Sequence, residues 1–279
     1  MLRGLFNFLL YSSIFISLCA LLMIWQTNEL LYLQYDKTTF YLFVFFSTIC
    51  SYNFHWYLTP NTYSGSERLH WADRHRNMMM VFSVIGLLAS LYFFWQLRYH
   101  WLAISGSAVL TFLYSAPKIP HPAFRWLSKI AIGKTLFLTG VWTYVTTLLP
   151  ALVANAPLSI PLISLVIYRF CLIYAICILF DYRDLESDKR EGIRSLITYL
   201  DNKQLMRLYY ISLLLAAVFA GIMGPFISFS AIISLQIPVI ATALITRKAQ
   251  SSSADVLYYF VLDGFMAVSA VVYFLLLQL

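Results

Sequence analysis

The sequence predicts an all-α, multi-pass membrane bundle of about nine transmembrane helices. Three observations carry that prediction. Of the 279 residues, 61% are hydrophobic. Only 11% are charged, against roughly 25% in a soluble domain. Apolar runs of about 20 residues, the length a helix needs to cross a bilayer, recur along the whole chain. Intrinsic disorder, collagen, coiled coil and disulfide scaffold are excluded by the same composition.

The runs fall at roughly 5–25, 39–58, 78–96, 99–116, 128–149, 160–180, 205–223, 226–246 and 256–278. They leave short loops, so residues 1–279 read as one transmembrane domain without an internal repeat. A β-barrel is disfavoured because transmembrane strands alternate polar and apolar residues. The stretch Leu213-Leu214-Leu215-Ala216-Ala217-Val218-Phe219-Ala220 is apolar on every side. In lipid it closes its backbone hydrogen bonds only as a helix.

Basic residues set the expected orientation. With the N-terminus in the cytoplasm, Arg3, Arg68, Arg74, Arg76, Lys118, Arg125, Lys129, Arg183, Lys189, Arg190, Arg194, Lys203, Arg207, Arg247 and Lys248 all lie inside. Lys37 and Arg98 go to the other side, and Lys134 and Arg169 fall within spans. The expected location is a bacterial cytoplasmic membrane. Anionic lipid accounts for the net charge of +7 without a nucleic-acid partner. The first run lacks a small-residue cleavage site and reads as a retained span. Cys19, Cys50, Cys171 and Cys177 lie in apolar segments without metal-ligand spacing, as packing thiols do.

Two long polar segments, 59–77 and 181–204, lie on the inner face and cap the expected site. If the sixth span continues as a helix, Asp181, Asp184, Asp188 and Glu191 fall on one face. Such a stripe becomes favourable when it holds a divalent cation, and hard oxygen ligands suit Mg²⁺. A charged helix end paired with Arg183, Lys189 and Arg190 explains the same spacing.

The run Arg183-Asp184-x-x-x-Asp188-x-x-x-Gly192-x-x-Ser195-Leu196 resembles the second aspartate-rich motif of the UbiA superfamily of intramembrane prenyltransferases. Tyr114-x-x-x-Lys118 is similar to a further feature of that family near its diphosphate site. The resemblance implies a UbiA-like fold and transfer of a prenyl group from a prenyl diphosphate to an aromatic or quinone-precursor acceptor, with Mg²⁺ as cofactor. It implies Asp184 and Asp188 as metal ligands with Asp181 beside them. Lys118 would contact the diphosphate. Tyr114, Asn53, Arg68, Arg74 and Arg194 complete the expected diphosphate-binding set, and Asp184, Asp188 and Lys118 the catalytic one.

The first motif departs from the family pattern Asn-x-x-x-Asp-x-x-x-Asp. Asn53 is retained, but Tyr57 and Asn61 stand where the aspartates would be. A diphosphate leaving group carries about three negative charges that must be neutralised as the bond breaks. Either one Mg²⁺ works with basic side chains such as Arg68, His70, Arg74, His75 and Arg76, or catalysis is lost and the bundle binds an isoprenoid lipid. Arginine suits the first outcome because its planar fork donates two hydrogen bonds at once.

His55 is either a ligand or a hydrogen-bonded interfacial histidine. Lys134 and Asp263 lie at similar depth and are expected to pair across helices. Arg169, about 18 Å along the helix from Asp181, is expected to face the interior with no partner assigned. Two rival readings are a transporter and a phosphotransferase of the CDP-alcohol type. The first finds only prolines near span ends, and the second lacks its glycine after the first aspartate pair.

Overall fold

The computed structural model describes residues 2–59, 66–115, 134–191 and 200–278. The side chains at 2, 114, 134 and 186–191 lie outside that description. All regular structure among the described residues is helical.

α1 (Leu2–Tyr11) and α2 (Ile14–Leu30) form one apolar stretch bent by 62°. At the bend Ser13 takes a left-handed φ of 69°. The Ser12 carbonyl accepts from the Asn53 side-chain amide at 2.9 Å. α3 (Lys37–Leu58) begins where the Asp36 side chain accepts from the Thr39 N–H, an N-cap bond. α4 (Glu67–Arg74) is short and packs against α1, α3 and α5. α5 (Arg76–Gln96) packs along α3. A Cβ at Gly86 would stand 2.8 Å from the Cys50 nitrogen and 2.8 Å from the Phe46 oxygen, so this glycine permits the close approach.

α6 (Trp101–Ser115) is followed by α7 (Lys134–Thr143), a π turn (Tyr144–Leu148) and α8 (Leu149–Val153), which run as one span. In a regular helix the Thr146 carbonyl accepts the N–H of residue 150, but residue 150 is proline. α9 (Ile160–Glu191) is the long central helix, packed against α7, α10 and α11. It is followed by α10 (Asn202–Ile222), opened by a capping box at Asp201 and Gln204. α11 (Phe229–Ser251) leads to a π segment (Leu257–Leu262) that continues into α12 (Asp263–Leu276).

Six described helices are long and apolar enough to cross a membrane, or seven with the bent α1–α2 pair. Within the described residues, each of the nine apolar runs is largely helical. α3 has the length but carries Ser, Thr, Tyr, Asn53 and His55, and α6 is described for 15 residues. The figure of nine spans therefore exceeds what length and hydropathy establish here.

The bundle exposes large apolar side chains, and its largely apolar interior also buries polar ones. Leu88, Trp95, Leu214 and Leu244 are exposed, while Thr27, Asn53, Thr146 and Arg169 are buried. That distribution suits a hydrocarbon solvent, where buried hydroxyls and amides bond across helices. The four cysteines are free.

Arg169 shows how the interior is joined. Its side chain is 2% exposed. Nη1 donates to the Thr146 carbonyl at 2.7 Å and to Thr27 Oγ1 at 2.6 Å. Nη2 donates to the Met23 carbonyl at 2.6 Å and to Gln26 Oε1 at 3.2 Å. Its partners are two carbonyls, the hydroxyls of Thr27 and Thr147, and an amide, on α2 and the π turn.

Candidate functional site: a carboxylate and guanidinium cluster at one end of the bundle

The polar stretch after the sixth apolar run is helical to Glu191, so Asp181, Asp184 and Asp188 do share one helix at successive turns. Asp181 is 6% exposed and accepts from Thr135 Oγ1 at 2.7 Å. Asp184 is half-buried, and its Oδ1 accepts from Arg183 Nε at 2.8 Å. The Asp188 side chain lies outside the described residues. Among the described residues no three His, Cys, Asp or Glu side chains group closely enough to hold an ion.

Two arginines meet at one aromatic ring. The Arg68 guanidinium carbon lies 4.5 Å from the Tyr259 ring centre, and that of Arg183 lies 4.6 Å from the same centre. Arg68 also lies 4.2 Å from the Trp56 ring, and Arg183 lies 4.8 Å from that of Tyr258. These rings come from α3 and from the π segment before α12. The π segment is tied to α11 where the Tyr258 hydroxyl donates to the Ala249 carbonyl.

α4 delivers Arg68 to this place. Ser66 caps the helix, and Asp255 Oδ2 accepts from both Ser66 Oγ at 2.9 Å and the Arg68 backbone N–H at 2.7 Å. A carboxylate at a helix N-terminus is favoured by the local N–H groups and the helix dipole. Arg68 is consequently only 3% exposed. Burial pushes its guanidinium down from the ordinary arginine value, and the Asp263 carboxylate opposes that shift.

The remaining expected residues divide clearly. Asn53 is buried, and its amide donates to the Ser12 and Ile49 carbonyls, both at 2.9 Å. Its donors therefore hold the α1–α2 bend. Arg74 is exposed on α4 and is not brought to Tyr259. Lys118, Arg194 and Asn61 lie outside the described residues, as does the Tyr114 side chain. The end of α6 nevertheless stands beside α3, with Ser115 Oγ 3.4 Å from His55 Nδ1. Tyr57 is covered by Arg76, whose guanidinium carbon lies 4.7 Å from its ring centre.

Sequence reasoning missed Arg183, Trp56, Tyr258 and Tyr259 as members of this cluster. It expected Asp263 to pair with Lys134, whose side chain is outside the described residues. Among the described residues, the charged side chains near Asp263 include Arg68 and Arg183. Only the presence of an ionisable residue within an apolar run signalled Asp263.

A model of the UbiA prenyltransferase family matches residues 73–269. A search of curated proteins finds no match. A solved structure described as digeranylgeranylglyceryl phosphate synthase in membranes superposes with a TM-score of 0.60, at 16% identity over 98% of both chains. At that identity the likeness establishes the fold. It extends over the region of α1 to α4, most of which precedes the family match.

Proposed function

The chain belongs to the UbiA prenyltransferase family, and from that premise we propose that it transfers a prenyl group from a prenyl diphosphate to a lipophilic aromatic or quinone-precursor acceptor. The observation that supports this reading best is the ion pair of Asp184 with Arg183, beside the buried Arg68 at the same Tyr259 ring, at one end of an apolar bundle. Such a site neutralises a diphosphate while the adjoining apolar interior receives a prenyl chain.

In this reading Asp184 and Asp188 would hold Mg²⁺, with Asp181 beside them. The donor set fits, since hard carboxylate oxygens on successive turns suit an ion that completes its shell with phosphate and water. When bound, the ion supplies Lewis-acid stabilisation of the leaving diphosphate. Thr135 orients Asp181 through its hydroxyl. Lys118, Arg194 and Tyr114 join the diphosphate contacts, and Arg74 raises the positive potential at the mouth. The donor C–O bond breaks with its electron pair leaving on the diphosphate. The acceptor carbon then captures the allylic cation and loses a proton. Trp56 and Tyr259 present π faces to the Arg68 and Arg183 guanidiniums and help to hold them at the site. The basic excess on this side argues for a site that opens to the cytoplasm, with the N-terminus there too, in a bacterial cytoplasmic membrane.

A second reading is an isoprenoid-lipid-binding protein without turnover. It is favoured by Tyr57, which stands at a position where the family pattern has aspartate and is covered by Arg76. One preparation separates the two. Purified protein is incubated with a prenyl diphosphate and an aromatic acid acceptor, and the lipid extract is analysed by mass spectrometry. A new prenylated acceptor supports transfer. Recovery of unchanged prenyl lipid alone supports binding.

A further inference from the structure

We propose that Arg68 and Arg183 form a cradle that takes diphosphate oxygens without a metal, standing in for the charge that Tyr57 and Asn61 no longer recruit. This rests on the prenyl diphosphate reading and specifies how that site holds its anion.

Three observations carry it. First, the two guanidiniums share the Tyr259 ring, so two positive charges stand against one side chain. Second, several of their donors are unused, although Arg183 Nε is committed to Asp184. Arg68 Nε and Nη2 and Arg183 Nη1 are buried and make no hydrogen bond among the described residues. A buried charge left in that state is costly, and proteins ordinarily pair it. Ring faces account for part of the compensation. A guanidinium lying over a ring uses its flat face, and its N–H groups stay in plane for an anion. Third, Asp263 is near enough to Arg68 and Arg183 for their charges to oppose the cost of its burial, and it makes no ion pair among the described residues. It serves as a counter-charge that balances the empty cradle without occupying its donors.

The charge accounting agrees with this assignment. Two guanidiniums carry the same formal charge as one divalent ion. The first aspartate motif would have gathered such an ion, and its carboxylates are replaced here by Tyr57 and Asn61. Asp255 acts as a positioning residue, because it holds the Arg68 backbone N–H at the start of α4. The carboxylate stripe on α9 remains for the single metal site.

The test is calorimetric titration of inorganic pyrophosphate into the purified full chain, in chelator and again in Mg²⁺. Wild type is expected to bind in chelator. Arg68→Gln and Arg183→Gln are each expected to weaken that binding at least about tenfold, as loss of charge-assisted hydrogen bonds does. Asp263→Asn is expected to tighten it, and Arg98→Gln, at the far end of the bundle, to leave it unchanged. Arg68→Lys keeps the charge and much of the volume, so it replaces the glutamine variant should that fail to fold. Binding that needs Mg²⁺ and ignores both arginines overturns the cradle and leaves the prenyl diphosphate reading standing. No binding in Mg²⁺ either overturns both.

Discussion

Arg169 donates to the carbonyl of Thr146 at 2.7 Å, and that carbonyl is the one from which Pro150 withholds its N–H. A proline in a span leaves an acceptor that must be satisfied within the protein. Here a guanidinium from the central helix donates to it together with the Thr27 hydroxyl, and other guanidinium N–H bonds reach α2 and Thr147. Arg169→Met is expected to cost roughly 2–4 kcal/mol of stability, because several buried acceptors lose their partner. Pro150→Ala restores a backbone N–H, so the loss should be smaller in the Arg169→Met/Pro150→Ala protein. Thermal unfolding in detergent of the four proteins measures the difference. Equal losses in both backgrounds would refute the link.

Asn53 is expected to be needed for its amide donors. Asn53→Ala removes the bond that caps the α1–α2 bend and should cost about 1–2 kcal/mol. Asn53→Asp places a carboxylate against the Ser12 and Ile49 carbonyls and should cost more. The order of the two unfolding midpoints checks this. A retained midpoint in Asn53→Asp would show that the bend holds itself.

Gly86 permits the closest approach between α3 and α5. Gly86→Ala puts a methyl into contact with backbone atoms of α3, which cannot rotate away. The expected cost is roughly 1–3 kcal/mol. Gly140, with nothing within 4 Å of its added Cβ, is the control. Gly140→Ala should unfold at the wild-type temperature or slightly above it.

The Asp36 cap gives a pH dependence. The Thr39 hydrogen bonds, from side chain and backbone, hold the Asp36 carboxyl below the usual aspartate value. A carboxyl depressed by folding adds stability above its unfolded pKa, and that contribution fades as pH falls through the folded one. Asp36→Ala is therefore expected to cost about 1 kcal/mol at neutral pH. The gap should narrow in acid below the ordinary aspartate range. Unfolding midpoints of both proteins across that range measure it.

Much of this architecture was legible in the sequence, because a bilayer span must be long, apolar and helical. Asp181 and Asp184 were legible as one helix face because a carboxylate stripe at helical spacing needs no tertiary information. Arg68 was legible as a basic residue near the mouth, but its burial was not. Burial depends on α4 forming and on Asp255, far along the chain, holding its first turn. Arg183 read as a local partner of the acidic stripe, and it is that partner for Asp184. Its second contact, with Tyr259, arises from a π segment that no residue pattern announces. Arg169 was placed inside by the expense of charge in lipid. Its partners stayed hidden because they are neutral groups, one of them exposed by a proline on another helix.

The central claim is tested most directly by pyrophosphate release from a prenyl diphosphate by purified protein, with Mg²⁺ and with chelator, in wild type and in Asp184→Asn/Asp188→Asn. The account predicts release by wild type in Mg²⁺, little release in chelator, and a loss of at least about a hundredfold in the double variant. Equal turnover in the double variant would contradict it.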